Sequence, residues 1–285
     1  MNNKYDLSTI STSPELKVRH KTSECSPIGS IIFVHGICHG AWCFENFMDF
    51  FSENGYECFA LNLRGHGDNN RNDLIGARLS DYTDDVKKCV EYCTDYCNKK
   101  GITEKPFLLG HSMGGAVVQK YIGDYFNTVK GAILLASATA PKMNIIETMT
   151  KTMVVKSLRL AAYVSYGFKL SDKQIASTAF FDNRVSQKDI NRYKNLLQRE
   201  SYLITTMDLY KIYTRNFDIN IPLLVIGSEA DKYFPRKSLI KTISMYRYKA
   251  TNTLVILENL CHDMMLDPEW KESAESILNF MMNCN

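Results

Sequence analysis

The chain has 285 residues, of which 45% are hydrophobic and 23% charged, with a formal net charge of +3. That length suits one large domain with a substantial core, and the small, scattered basic excess argues against nucleic acid or an anionic membrane as partner. No stretch approaches the ~18 consecutive apolar residues of a membrane span, and the first residues lack the apolar core of a secretory signal, so a cytoplasmic protein is expected. Nine cysteines, an odd number, then read as reduced thiols rather than a disulfide framework.

Residues 1–28 are polar, with one short strand expected near Leu16 to His20 and no order expected over the opening dozen residues. Ser30 to Val34 reads as a buried strand that leads into His35-Gly36-Ile37-Cys38-His39-Gly40-Ala41-Trp42. Cys43 to Asn54 has helical spacing, with Phe44, Phe47, Met48 and Phe51 on one face and Gly55 as the stop. Tyr56 to Leu63 is a second strand, followed by the polar loop Arg64-Gly65-His66-Gly67-Asp68. Leu79 to Lys100 is a helix, on which Cys89, Cys93 and Cys97 share one apolar face with Val86, Val90 and Tyr96. Zinc usually requires paired cysteine units and a fourth ligand, so these thiols are expected to pack the core and no metal is expected.

Phe107 to Gly110 and Val129 to Ala136 are further strands. Alternating strands and helices imply a mostly parallel sheet with helices on both faces. From Pro141 to Phe217 the alternation breaks into helical stretches rich in methionine and aromatic residues, and it resumes with the strand Ile221 to Gly227. A helix near Arg236 to Met245, the strand Thr253 to Leu257 and a last helix, Trp270 to Met282, complete the pattern. The expected division is an α/β core over 29–140 and 218–285, with a helical cap over 141–217 facing the carboxyl ends of the strands.

The densest chemical signal is Gly110-His111-Ser112-Met113-Gly114, set between a strand and the helix that opens at Ala116. A strand, a sharp turn and a helix would expose the Ser112 hydroxyl at a helix N-terminus, and the glycines at 110, 114 and 115 would give the turn room. A serine nucleophile needs a base. His262 follows the last strand, and Asp231 lies four residues beyond Gly227. Nucleophile, acid, histidine is a known order for such a triad. Glu229 is the alternative acid, and Asp263 a weaker one. An oxyanion needs N–H donors: Met113 supplies one, and Ile37, or alternatively Cys38, the other. Gly36, Cys38 and His111 are expected to border the substrate, His39 and Trp42 to stand in or behind the pocket, and His66 to tie its own loop.

These motifs together resemble the α/β-hydrolase superfamily over nearly all of residues 30–283: His35-Gly36 is similar to its oxyanion loop, Leu63 to Gly67 to its second loop, and Gly110 to Gly114 to its nucleophile elbow, with Asp231 and His262 completing the triad. The loop His35 to Trp42 is similar to that of plant methylesterases and hydroxynitrile lyases. The lyases, however, have threonine where Gly36 stands and lysine where Asp263 stands, which argues against cyanohydrin cleavage. The resemblance implies the α/β-hydrolase fold and a serine hydrolase for a carboxylic ester, with thioesters and amides as chemical neighbours and no cofactor; the methionine and aromatic content of the cap adds the expectation of a small or medium, mostly apolar substrate. A ligand-binding receptor on the same fold and a non-hydrolytic Ser-His-Asp enzyme are the competing expectations.

Overall fold

Along each central strand, successive residues go to opposite faces, as the pleat requires. Phe33, Leu109, Ile133 and Leu224 belong to one buried cluster, and their neighbours Ile32, Leu108, Leu134 and Val225 to the other. The structure, a computed structural model, describes residues 5–138, 180–204, 208, 217–247 and 252–284. Its strands are β1 Asp6–Ile10, β2 Leu16–Lys21, β3 Gly29–Val34, β4 Tyr56–Leu61, β5 Phe107–His111, β6 Gly131–Leu135, β7 Leu223–Ser228 and β8 Asn252–Leu257. They form an eight-stranded sheet in the order β1-β2-β4-β3-β5-β6-β7-β8. Pairing is antiparallel from β1 through β2 to β4 and parallel from there onward. This is the α/β-hydrolase fold.

The described helices are α1 Glu45–Glu53, α2 Leu79–Lys99, α3 Met113–Tyr125, α4 Gln187–Leu196, α5 Arg236–Met245 and α6 Lys271–Met282. Phe47 and Phe51 of α1 join Ile277 and Phe280 of α6 on one face of the sheet. Val86 of α2, Val117 of α3 and Leu239 of α5 cover the other. Cys89, Cys93 and Cys97 lie in that second cluster, and all nine cysteines are free thiols. Among the described residues no helix is long and apolar enough to cross a membrane.

Two details differ from the sequence reading. The opening residues contribute β1, an edge strand of which only Ile10 is buried, so its apolar pattern is too thin to read. The segment before residue 29 therefore contributes two strands to the sheet where one was expected. Thr253 to Leu257, expected as a strand, lies in β8, which forms the opposite edge and is mostly half-buried. Most of the expected cap, over 141–179, 205–207 and 209–216, lies outside the described residues.

The chain runs from β3 outward to β4 and then crosses back to β5 on the other side of β3. Ligand crevices of open α/β sheets form at such a reversal, beyond the carboxyl ends of the strands. The loop after β3 and the turn after β5 meet there.

Candidate active site

Ser112 stands between β5 and α3 at φ 53° and ψ −116°, a left-handed conformation that costs a non-glycine residue about 1–3 kcal/mol. The surroundings hold it there: its N–H donates to Leu135 O at 3.1 Å, and its carbonyl accepts from Gly115 and Ala138 N–H at 3.0 Å each. The elbow is packed backbone against backbone. A β-carbon on Gly110 would collide with the Gly114 carbonyl, and one on Gly114 with the carbonyls of Val34 and His35. One on Gly36 would lie 2.9 Å from His111 Nδ1 and 3.1 Å from Ser112 Cβ, so the loop after β3 can lie directly against the serine only without a side chain.

His262 Nε2 is 3.0 Å from Ser112 Oγ, and His262 Nδ1 is 3.0 Å from Asp231 Oδ2. The network fixes the tautomer: Nδ1–H donates to the carboxylate, leaving Nε2 to accept the serine proton. Asp231 is itself fixed, since its Oδ1 accepts from Tyr233 N–H at 2.7 Å and Phe234 N–H at 3.2 Å. All three residues are buried. Burial alone would lower the basicity of His262, but Asp231, helped by Asp263, outweighs it and raises the histidine above its usual value. Glu229 is elsewhere: it is exposed and ion-paired with Arg236 at 2.7 Å.

The loop carrying His262 is braced from several sides. His111 Nε2–H donates to the His262 carbonyl at 3.1 Å, and Asp263 N–H donates to Phe180 O at 3.1 Å. Asp267 accepts from Cys261 N–H at 2.9 Å and pairs with Arg184 at 2.8 Å. The rings of Tyr233, Phe234 and Phe180 lie 4.7, 5.6 and 6.2 Å from the His262 ring and form an apolar wall.

His111 is buried, and burial, with His262 beside it, pushes its pKa down to about 3. It is a neutral tie between the elbow and the His262 loop. Cys38 is buried at φ 67°, and burial holds its thiol well above the usual range. Among the described residues, no protein acceptor takes the N–H groups of Ile37 or Met113. His35 is kept neutral by burial and by His66, while Glu200 outweighs burial to raise His66.

Three partnerships escape the sequence. His39 Nε2 lies 3.0 Å from Asp263 Oδ2, across a separation of 224 residues. Gln198 donates its N–H to the Cys38 carbonyl at 2.8 Å and accepts from Gly67 N–H at 2.8 Å. Glu200 accepts from Tyr82 Oη at 2.5 Å and pairs with His66 at 3.2 Å. Gln198 and Glu200 stand beside Arg199 and Ser201, so their local sequence gives no sign of such roles. His111, His262 and Asp263 form the described group whose metal-ligating atoms gather within 4.8 Å of one another. Each is already engaged, with Ser112, Asp231, His39 or the His262 carbonyl.

Known proteins resemble this chain in sequence and fold. The chain is 33% identical over 110 residues to protein phosphatase methylesterase 1 of Candida albicans, covering 38% of this chain and 29% of that one. It is 28% identical over 107 residues to methyl jasmonate esterase 1 of Vitis vinifera, covering 37% and 38%. The chain thus spans well under two thirds of these relatives' length. A soluble variant of the monoglyceride lipase of Saccharomyces cerevisiae, solved with a substrate analog, superposes with a TM-score of 0.74 at 17% identity, covering 100% and 97% of the two chains. The serine aminopeptidase S33 family matches residues 26–269. The chain therefore belongs to that hydrolase family, within the α/β-hydrolase superfamily.

Proposed function

We propose that the protein is a serine hydrolase that cleaves a small or medium, mostly apolar carboxylic ester. The observation that carries this reading is the chain of contacts from Ser112 through His262 to Asp231, 3.0 Å at each step. Ser112 Oγ attacks the acyl carbon as His262 takes its proton, and Asp231 holds the ring and balances its charge. The N–H groups of Ile37 and Met113 receive the oxyanion. His262 then protonates the departing alcohol, and the same histidine activates water to release the acyl group from Ser112. The aromatic wall beside His262 supports an apolar substrate, and relatives named as methylesterases and a methyl jasmonate esterase support an ester with a small alcohol.

A helical cap over residues 141–217 belongs to this reading, supported by α4 and by Gln198 and Glu200, which reach onto the site's loops. Nine unpaired thiols support a reducing, cytoplasmic setting.

The test is labelling with a fluorophosphonate probe, followed by hydrolysis of p-nitrophenyl esters from acetate to octanoate. Ser112→Ala should abolish labelling and lower kcat by roughly 10⁶. Folded wild-type protein that neither labels nor turns over would sink the reading. Faster cleavage of amino-acid p-nitroanilides than of any ester would replace the ester with an amide.

A further inference from the structure

The loop after β3 has three consecutive carbonyls held by named donors. Gly36 O accepts from His35 Nδ1 at 2.9 Å and His39 N–H at 3.3 Å, Ile37 O from His39 Nδ1 at 2.6 Å, and Cys38 O from Gln198 N–H at 2.8 Å. The bond from His39 N–H to Gly36 O closes a four-residue turn whose third residue, Cys38, has φ 67°. A left-handed third residue marks a type II turn, a position suited to glycine or asparagine. A residue with a β-carbon there costs about 1 kcal/mol. In the type I alternative the Ile37–Cys38 peptide is rotated by about half a turn and Cys38 returns to negative φ. That rotation would exchange the positions of the Ile37 carbonyl and the Cys38 N–H, placing oxygen lone pairs where an N–H now points.

The His39 ring opposes the rotation. Its Nδ1 holds the Ile37 carbonyl, and its Nε2 is 3.0 Å from Asp263 Oδ2. His39 is 1% exposed and Asp263 fully buried. Both partners of the ring are acceptors, so both nitrogens donate, and the ring cannot turn without losing a bond. Burial would raise the Asp263 carboxyl, but His39, with His111 and His262, outweighs it and keeps the group below the usual carboxylate range. Asp263 directly follows His262, and its N–H is fixed on the Phe180 carbonyl.

We propose that the His39–Asp263 pair positions the oxyanion loop: Asp263 holds the His39 ring, and the ring holds the Ile37 carbonyl, so the Ile37–Cys38 peptide stays in the orientation that turns the Cys38 N–H, as a donor beside the Ile37 N–H, and not the Ile37 carbonyl, toward the acyl oxygen. The pair makes the loop that carries the base and the loop that receives the oxyanion one rigid unit. This inference rests on the ester-hydrolase reading for its catalytic consequence, but not for its structural one.

Asparagine and glutamine separate the two ends of the ring. In His39→Asn the new amide nitrogen stands where Nδ1 does and can keep the Ile37 carbonyl; in His39→Gln it stands where Nε2 does and cannot. Both variants are made together with Asp263→Asn, so that no buried carboxylate is left unpaired. The glutamine double variant should lose roughly 10²-fold in kcat on the best p-nitrophenyl ester, the scale of one lost oxyanion donor, with KM little changed. Its affinity for an alkyl boronic acid, which forms a tetrahedral adduct on Ser112, should fall by a similar factor. The asparagine double variant should recover most of both. A crystal structure of the glutamine variant should show Cys38 at negative φ. Wild-type kcat in a folded glutamine variant, or a loss of rate with Cys38 still left-handed, would overturn the proposal. Should the wild type hydrolyse no ester, the ester reading fails, and the conformation of Cys38 alone decides the role of the pair.

Discussion

At the scale of residues, the proposed site turns on one buried base, His262. His262 faces Asp231 and Tyr233 from the loop after β7, His111 and Ser112 from β5 and its elbow, and its neighbour Asp263. His111 is neutral, and burial raises the Tyr233 hydroxyl so that it stays protonated. Asp231 and Asp263, the latter paired with the His39 ring, therefore set the charge that His262 feels. Only the neutral imidazole can take the Ser112 proton, so kcat/KM should rise with pH through a limb above the ordinary histidine value of about 6.5. Asp231→Asn should move that limb to lower pH and cut kcat by roughly 10⁴, which a pH–rate profile on p-nitrophenyl acetate measures. A crippled Glu229→Gln beside an unaffected Asp231→Asn would transfer the acid role to Glu229. Ser112, Asp231 and His262 were legible because each follows a readable strand at a spacing tied to chemistry. The partner of His39 was not, because no local pattern connects positions 39 and 263.

At the scale of elements, the nucleophile elbow is a packing problem as much as a turn. The residues that would clash with a side chain on Gly110 are backbone atoms of Gly114 and Gly115, which cannot rotate away. Gly110→Ala should therefore destabilise by at least the roughly 1–3 kcal/mol of an overpacked core and displace Ser112 from its 3.0 Å contact with His262. Thermal melts and fluorophosphonate labelling measured together would show it, and an unchanged melting temperature with normal labelling would contradict it. The central strands and the elbow were readable because continuous apolar runs and glycine spacing report buried parallel strands directly. Edge strands behave differently: β1 buries too little to leave a pattern, and the apolar run of β8 gives no sign of its place at the sheet's end.

At the scale of the whole molecule, the segment after α4 is stitched to the core through side chains that enter loops far away in sequence. Glu200 is the most deeply committed, holding Tyr82, His66 and Ser201 N–H with no exposure of its carboxylate. The His66 pairing raises that histidine and lowers the glutamate, each against the effect of burial. Its stabilisation is thus complete between the unfolded values of about 4.3 and 6.5. It is lost as pH rises through the raised His66 value, or falls through the lowered Glu200 value. Glu200→Gln should cost roughly 3–5 kcal/mol within that window, as for a broken buried pair. The gap to wild type should narrow at alkaline pH in thermal melts, and a gap independent of pH would refute the pairing. Such long-range stitches were invisible in the sequence, where Glu200 is one acid among charged neighbours.

The strand order has a consequence for synthesis. The elbow is complete once β3, β5 and β6 have paired, but Asp231 and His262 sit on the loops that follow β7 and β8. A nascent chain that ends before β8 carries a presented serine with no base to activate it. On the proposed mechanism, hydrolysis therefore begins only once β8 has closed its edge of the sheet.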